Sequence, residues 1–149
     1  MKLYELVNKY HVGTNLTCAE AMFKACNEYY QLNLSEETRK MFSVMGVGMQ
    51  TGLSCCGAFT VASGIIGLFT AEEGETDVDN SIGYNLIFEL TKFMIEEFGT
   101  LQCSGLKETE IPGYENPCHL IVESIAKKLE ELLEKKKILA MIPDIQNIN

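Results

Sequence analysis

The chain reads as an all-α protein, a compact bundle of five or six helices forming one domain over residues 1–149. Three observations predict this. Apolar residues recur at intervals of three and four along most of the length, and no alternating strand pattern persists. Helix-start signals precede several of these apolar stripes, at Thr17, Ser35 and Asn116-Pro117. A composition of 46% hydrophobic and 22% charged residues suits a globular chain with one sizeable core.

The first helix carries Leu3, Leu6, Val7 and Tyr10 on one side and stops near Gly13. Thr17 with Glu20 three positions later spells a capping box, which places Cys18 in the first turn of the second helix. Met22, Ala25, Cys26 and Tyr29 share its stripe, so Cys18 is expected to face the core. Ser35 opens a third helix, with Glu36 and Glu37 suited to its positive end, and this helix loosens at GVGMQTG, residues 46–52. Ser54 is the expected N-cap of the fourth helix. Its residues Ala58, Val61, Ala62, Ile65, Ile66 and Phe69 are apolar nearly all round and predict a central position. An acidic connector, TAEEGETDVD, precedes a fifth helix capped by Asp79 or Asn80 and ended by Gly99. Residues 99–116 read as a connection too long for an ordinary turn. Asn116-Pro117 then starts the last helix, whose apolar positions include Ile121, Val122, Ile125, Leu129 and Leu132. The tail from Ile142 reads as frayed, with Ile142 and Ile145 as docking points. Met22, Met41, Met45, Met49 and Met94 are expected to fill gaps in the core.

A formal net charge of −9 repels phosphate backbones and argues against nucleic acid as a partner. The most apolar run, residues 53–69, is interrupted by Ser54, Thr60, Ser63 and three glycines, so membrane insertion is not expected. The amino terminus lacks the unbroken apolar core of a signal peptide, which points to the cytoplasm. Six cysteines in a reducing compartment suggest metal ligation or redox chemistry rather than a disulfide framework. No P-loop, nucleophile elbow or dinucleotide fingerprint is present.

Cys18, Cys56 and Cys118 each fall at a predicted helix start, and Cys103 does so if Thr100 caps a turn. Unpaired N–H groups and the positive dipole end lower a thiol's pKa there, and the thiolate is the form that attacks disulfides or binds metal. Meeting in space, these starts make one anionic thiolate site; apart, each cysteine is a small apolar packing residue. Cys26, with no cap or glycine beside it, reads as packing. Cys55 reads as a spare, packing or resolving thiol, because adjacent cysteines do not pair without strain. His119, next to Cys118, is either a replacement ligand or an exposed side chain.

The Asn15-x-x-Cys18-Ala19 start, the glycine-rich lead-in at 46–52, Cys56-Gly57-Ala58, Cys103 after Phe98-Gly99, and Cys118 together resemble the redox-active family C_GCAxxG_C_C. The family's second glycine is Val61 here, with Gly64 one turn later. The resemblance implies redox activity. A similar domain in the split-Soret cytochromes is associated with a two-iron, two-sulfur cluster held by cysteines, which implies Cys18, Cys56, Cys103 and Cys118 as ligands. No C-x-x-C-H haem attachment sequence is present. Separations of 38, 47 and 15 positions match no short ferredoxin or zinc-ribbon pattern, so only the fold can gather these thiols. The leading expectation is an iron–sulfur protein for electron transfer or redox sensing. The alternatives are a thiol–disulfide oxidoreductase with Cys56 as nucleophile, a structural zinc site, and a metal-free module in which the cysteines pack. The sequence names no redox partner, and it is compatible with a homodimer.

Overall fold

The computed structural model describes residues 1–71 and 80–135. Among these residues seven α-helices follow one another: α1 (Leu3–His11), α2 (Cys18–Tyr29), α3 (Glu36–Ser43), α4 (Gly57–Thr70), α5 (Ser81–Phe98), α6 (Cys103–Lys107) and α7 (Pro117–Lys135). Among the described residues there is no strand, and the fold is all-α. The count exceeds five or six because α6 forms inside the stretch expected to be a connection. Most of the acidic connector and the tail from Ile142 lie outside the described residues.

The helix starts follow the local sequence closely. The Thr17 hydroxyl accepts from the Glu20 N–H, and the Glu20 carboxylate accepts from the Thr17 N–H in return. Ser35 caps α3 by accepting from the Thr38 N–H at 3.1 Å. Asn80 caps α5 by accepting from the Gly83 N–H at 3.1 Å, and its amide donates to the Thr70 hydroxyl at the end of α4; Asp79, the other expected cap, lies outside the described residues. Gly99 closes α5 in the left-handed conformation, with φ at 82°. Each satisfied cap contributes about 1 kcal/mol.

Ser54 does not cap α4. Residues 54–56 are held in an antiparallel bridge with 101–103, where the Cys56 N–H donates to the Leu101 carbonyl at 2.8 Å and the Cys103 N–H donates to the Ser54 carbonyl at 2.9 Å. The extended backbone delays the helix to Gly57 and leaves Cys56 as its flanking N-terminal residue.

One contiguous core joins α1, α2, α4, α5, α6 and α7, with Met22, Ile65, Ile66, Phe69, Leu90, Ile125 and Leu129 sealed inside it. α2 packs on α1, α3, α4 and α7, while α4 packs on α2, α5 and α7. The face of α4 bearing Gly64 and Leu68 reaches solvent, so this helix is not apolar-buried all round. α3 buries no residue and rests on the bundle through Phe42 against Phe23. Met22 and Met94 fill the core as expected; Met41 and Met49 do not, being 67% and 42% exposed. No helix among the described residues is long and apolar enough to cross a membrane.

Candidate functional site

Cys18, Cys56, Cys103 and Cys118, brought from four separate segments, line one cavity of about 190 Å³. That is far more than the roughly 10–15 Å³ a single water requires. Val47, Leu106, Ile121 and Val122 supply apolar wall, and His11 and Lys107 bring the nearby basic groups. Cys56 and Cys103 are each 6% exposed, while Cys18 and Cys118 are half-buried. All four thiols are free.

The bridge between residues 54–56 and 101–103 explains how two of them meet. Side chains alternate across extended backbone, so Cys56 and Cys103 emerge on one face, while Cys55 and Gln102, the directly opposed pair, emerge on the other. Cys55 accordingly lies outside the cavity lining. Cys18 opens α2 behind the Thr17 capping box, and Cys118 sits one residue into α7, where its N–H donates to the Asn116 side chain at 3.0 Å.

The thiol environments are unequal. The Cys56 S–H donates to Cys18, and the N–H groups of Val47, Ala58 and Gly57 add further donors, which together outweigh burial and hold the Cys18 pKa at about 6. Cys56 moves the opposite way, well above the ordinary thiol range, because it keeps the shared proton beside the Cys18 thiolate and is buried. The two act as one coupled pair. Burial also raises Cys118, followed by the charges of Cys18 and Cys103, with Lys107 opposing. Within the pair the low pKa falls on Cys18, whereas the sequence reading placed it on Cys56.

The glycine-rich lead-in threads between the cysteine-bearing segments. A Cβ on Gly46 would fall 2.5 Å from the Thr17 hydroxyl, and one on Gly48 would fall 2.6 Å from the Cys103 Cβ. On Gly57 a Cβ would meet the Met45 carbonyl at 2.7 Å and the Gly46 Cα at 2.9 Å. Val47, Gly48, Met49 and Gln50 all have φ between 53° and 66°, a left-handed turn of four consecutive residues. For β-branched Val47 this conformation is costly, and such strain collects at functional sites. Its effect is visible here, since it aims the Val47 N–H at Cys18.

The sequence missed this turn, the bridge, and the wall residues His11 and Lys107. Closely spaced glycines at 46, 48 and 52 hinted at the turn, but a left-handed valine has no sequence signal. Cys26 is fully buried and its pKa is raised by burial, as a packing thiol's would be. His119 is not simply exposed: it is half-buried, with its ring edge-on to that of His11. Val61, at the position of the family's second glycine, is fully buried, whereas Gly64 faces the Phe42 ring rather than the cavity. Among the described residues, no three His, Cys, Asp or Glu side chains are grouped so as to hold a single metal ion.

Helix starts and paired backbone thus gather four unpaired thiols around one apolar cavity in a small helical protein. The family model described as "Putative redox-active protein (C_GCAxxG_C_C)" matches residues 16–132, and the chain belongs to that family. No curated protein and no solved structure matches it.

Proposed function

We propose that this redox-active protein holds an iron–sulfur cluster on Cys18, Cys56, Cys103 and Cys118 and serves in electron transfer or redox sensing. The observation that carries the reading is the convergence of all four family cysteines on one cavity. The donor set suits the group, since four thiolates are the usual ligands of such clusters. A two-iron cluster divides its protein ligands between two metal atoms, so it requires pairs of thiols rather than three or four around a single ion. A mononuclear zinc site would need three or four such side chains around one ion, and no group of that kind is present among the described residues.

The cluster supplies one-electron transfer when bound. The chain's own residues supply the setting. The N-terminal ends of α2, α4 and α7 offset negative charge on the sulfurs. The Val47, Gly57 and Ala58 N–H groups direct further positive dipoles at Cys18. Leu106, Ile121 and Val122 supply an apolar wall beside the sulfurs. Reconstituting the reduced protein with ferrous iron and sulfide tests the reading: visible charge-transfer absorption and a paramagnetic reduced state are expected, both lost in C56S and C118S. A wild-type protein that stays colourless removes it.

The Cys18–Cys56 pair supports a second reading, thiol–disulfide exchange. The Cys18 thiolate attacks a substrate disulfide R–S–S–R′, forming Cys18–S–S–R and releasing R′S⁻. Cys56, after passing its proton to that thiolate, attacks the Cys18 sulfur and expels RS⁻. The substrate gains two electrons and the protein keeps a Cys18–Cys56 disulfide. Rapid alkylation of Cys18 alone at pH 7 in metal-free protein is expected on this reading; equal, slow rates at all thiols exclude it.

A further inference from the structure

His11 ends α1 and lies before the residues that match the family, yet it forms part of the wall of the thiol cavity. Its ring meets His119 edge-on, with centroids 5.1 Å apart and planes at 88°. Its Nδ1 is buried and has no hydrogen-bond partner. One other buried side-chain polar atom among the described residues lacks a partner: the Tyr30 hydroxyl, which belongs to a cluster with Tyr29 and Phe69 outside the cavity lining. Burial first, and the neighbouring His119 second, lower the His11 pKa. A neutral imidazole carries one N–H and one lone pair. A buried ring nitrogen without a partner calls for an explanation, and His11 is a wall residue of the same cavity that the four cysteines line.

We infer that His11 is a positioning residue of the thiol site, its buried ring nitrogen donating a hydrogen bond to sulfur of the group that fills the cavity, with His119 fixing the ring. The inference rests on the cluster reading above and assigns a role to a residue that the four-cysteine pattern does not contain. Outer partners of this kind tune a metal group through hydrogen bonds to its sulfurs. Reduction adds negative charge to those sulfurs, so an N–H directed at them stabilises the reduced state and raises the potential.

The experiment compares wild type with H11F, H11L and H11Q, each reconstituted with iron and sulfide. Phenylalanine keeps an aromatic edge against His119 and removes the donor; leucine is a second apolar replacement should H11F not fold; glutamine restores an N–H. Midpoint potentials are measured by optical titration, and unfolding is measured on the metal-free forms. H11F or H11L is expected to shift the potential negative by about 59 mV, which is a tenfold change in the one-electron equilibrium. H11Q is expected to stay near wild type. Metal-free H11F is expected to be at least as stable as wild type, because the unpaired nitrogen is gone. An unchanged potential and spectrum in H11F and H11L, with iron bound normally, overturns the role of His11 and leaves the cluster reading standing. A wild-type protein that takes up no iron overturns both.

Discussion

Replacing Gly48 by alanine probes how tightly the left-handed turn is fitted against the cysteine segments. Two costs arise. Gly48 has a φ of +57°, where a side chain costs roughly 1–2 kcal/mol. The added Cβ would also stand 2.6 Å from the Cys103 Cβ and 2.9 Å from the Ser54 carbonyl oxygen, neither of which is the free end of a flexible chain. Overpacking of this kind adds about 1–3 kcal/mol. Gly52 separates the two effects, since its φ is +75° but the nearest atom to an added Cβ is Ser104 Cβ at 4.0 Å. Urea unfolding of reduced, metal-free protein should show G48A less stable than G52A by about 1–3 kcal/mol. In thermal scans this becomes a gap of roughly 2–12 °C at this chain length. Cadmium or iron uptake should fall in G48A and survive in G52A, because only the first change displaces Cys103. Equal destabilisation by the two substitutions would refute the close contact between the turn and Cys103.

Three further outcomes follow from the same geometry. Cys26→Ser puts a hydroxyl in a fully buried apolar site and should cost about 1–3 kcal/mol, whereas Cys55→Ser, outside the cavity lining, should stay within about 0.5 kcal/mol; parallel denaturant curves check both. The folded Cys18 pKa lies below its unfolded value, so its stabilising contribution grows with pH above about 6 and is lost as pH falls through that value. Raised Cys56 acts in the opposite sense only at alkaline pH, so metal-free reduced protein should gain on the order of 1 kcal/mol per pH unit at most between pH 7 and 8.5, a gain absent from C18S in the same unfolding series. Asn116→Ala removes the acceptor for the Cys118 N–H and should cost about 1 kcal/mol by calorimetry while loosening Cys118.

The parts of the fold that rest on local chemistry were legible in the sequence. Thr17, Ser35, Asn80 and Asn116 are polar groups that bind the first free N–H groups of their own helices, and each does so here. The start of α4 was misplaced because Ser54 is occupied by a partner 49 positions away, a pairing with no local mark. The same long-range bridge places α6 and separates Cys55 from Cys56. The four-cysteine set was legible through its helix-start placement and family pattern, but the division of labour within it was not. Which thiol holds the proton depends on Val47, whose N–H is directed by a left-handed turn, and on relative burial. Neither can be read from residue identity. His11 was invisible for a similar reason, since only the packing of α1 against α7 brings it to the cavity and to His119.

Iron and acid-labile sulfide content of protein purified without oxygen tests the central claim most directly. The account predicts about two of each per chain in the wild type and their loss when Cys18, Cys56, Cys103 or Cys118 is replaced by serine, with C26S and C55S unaffected. Wild-type protein lacking both elements, or a full complement retained in C56S, would contradict it.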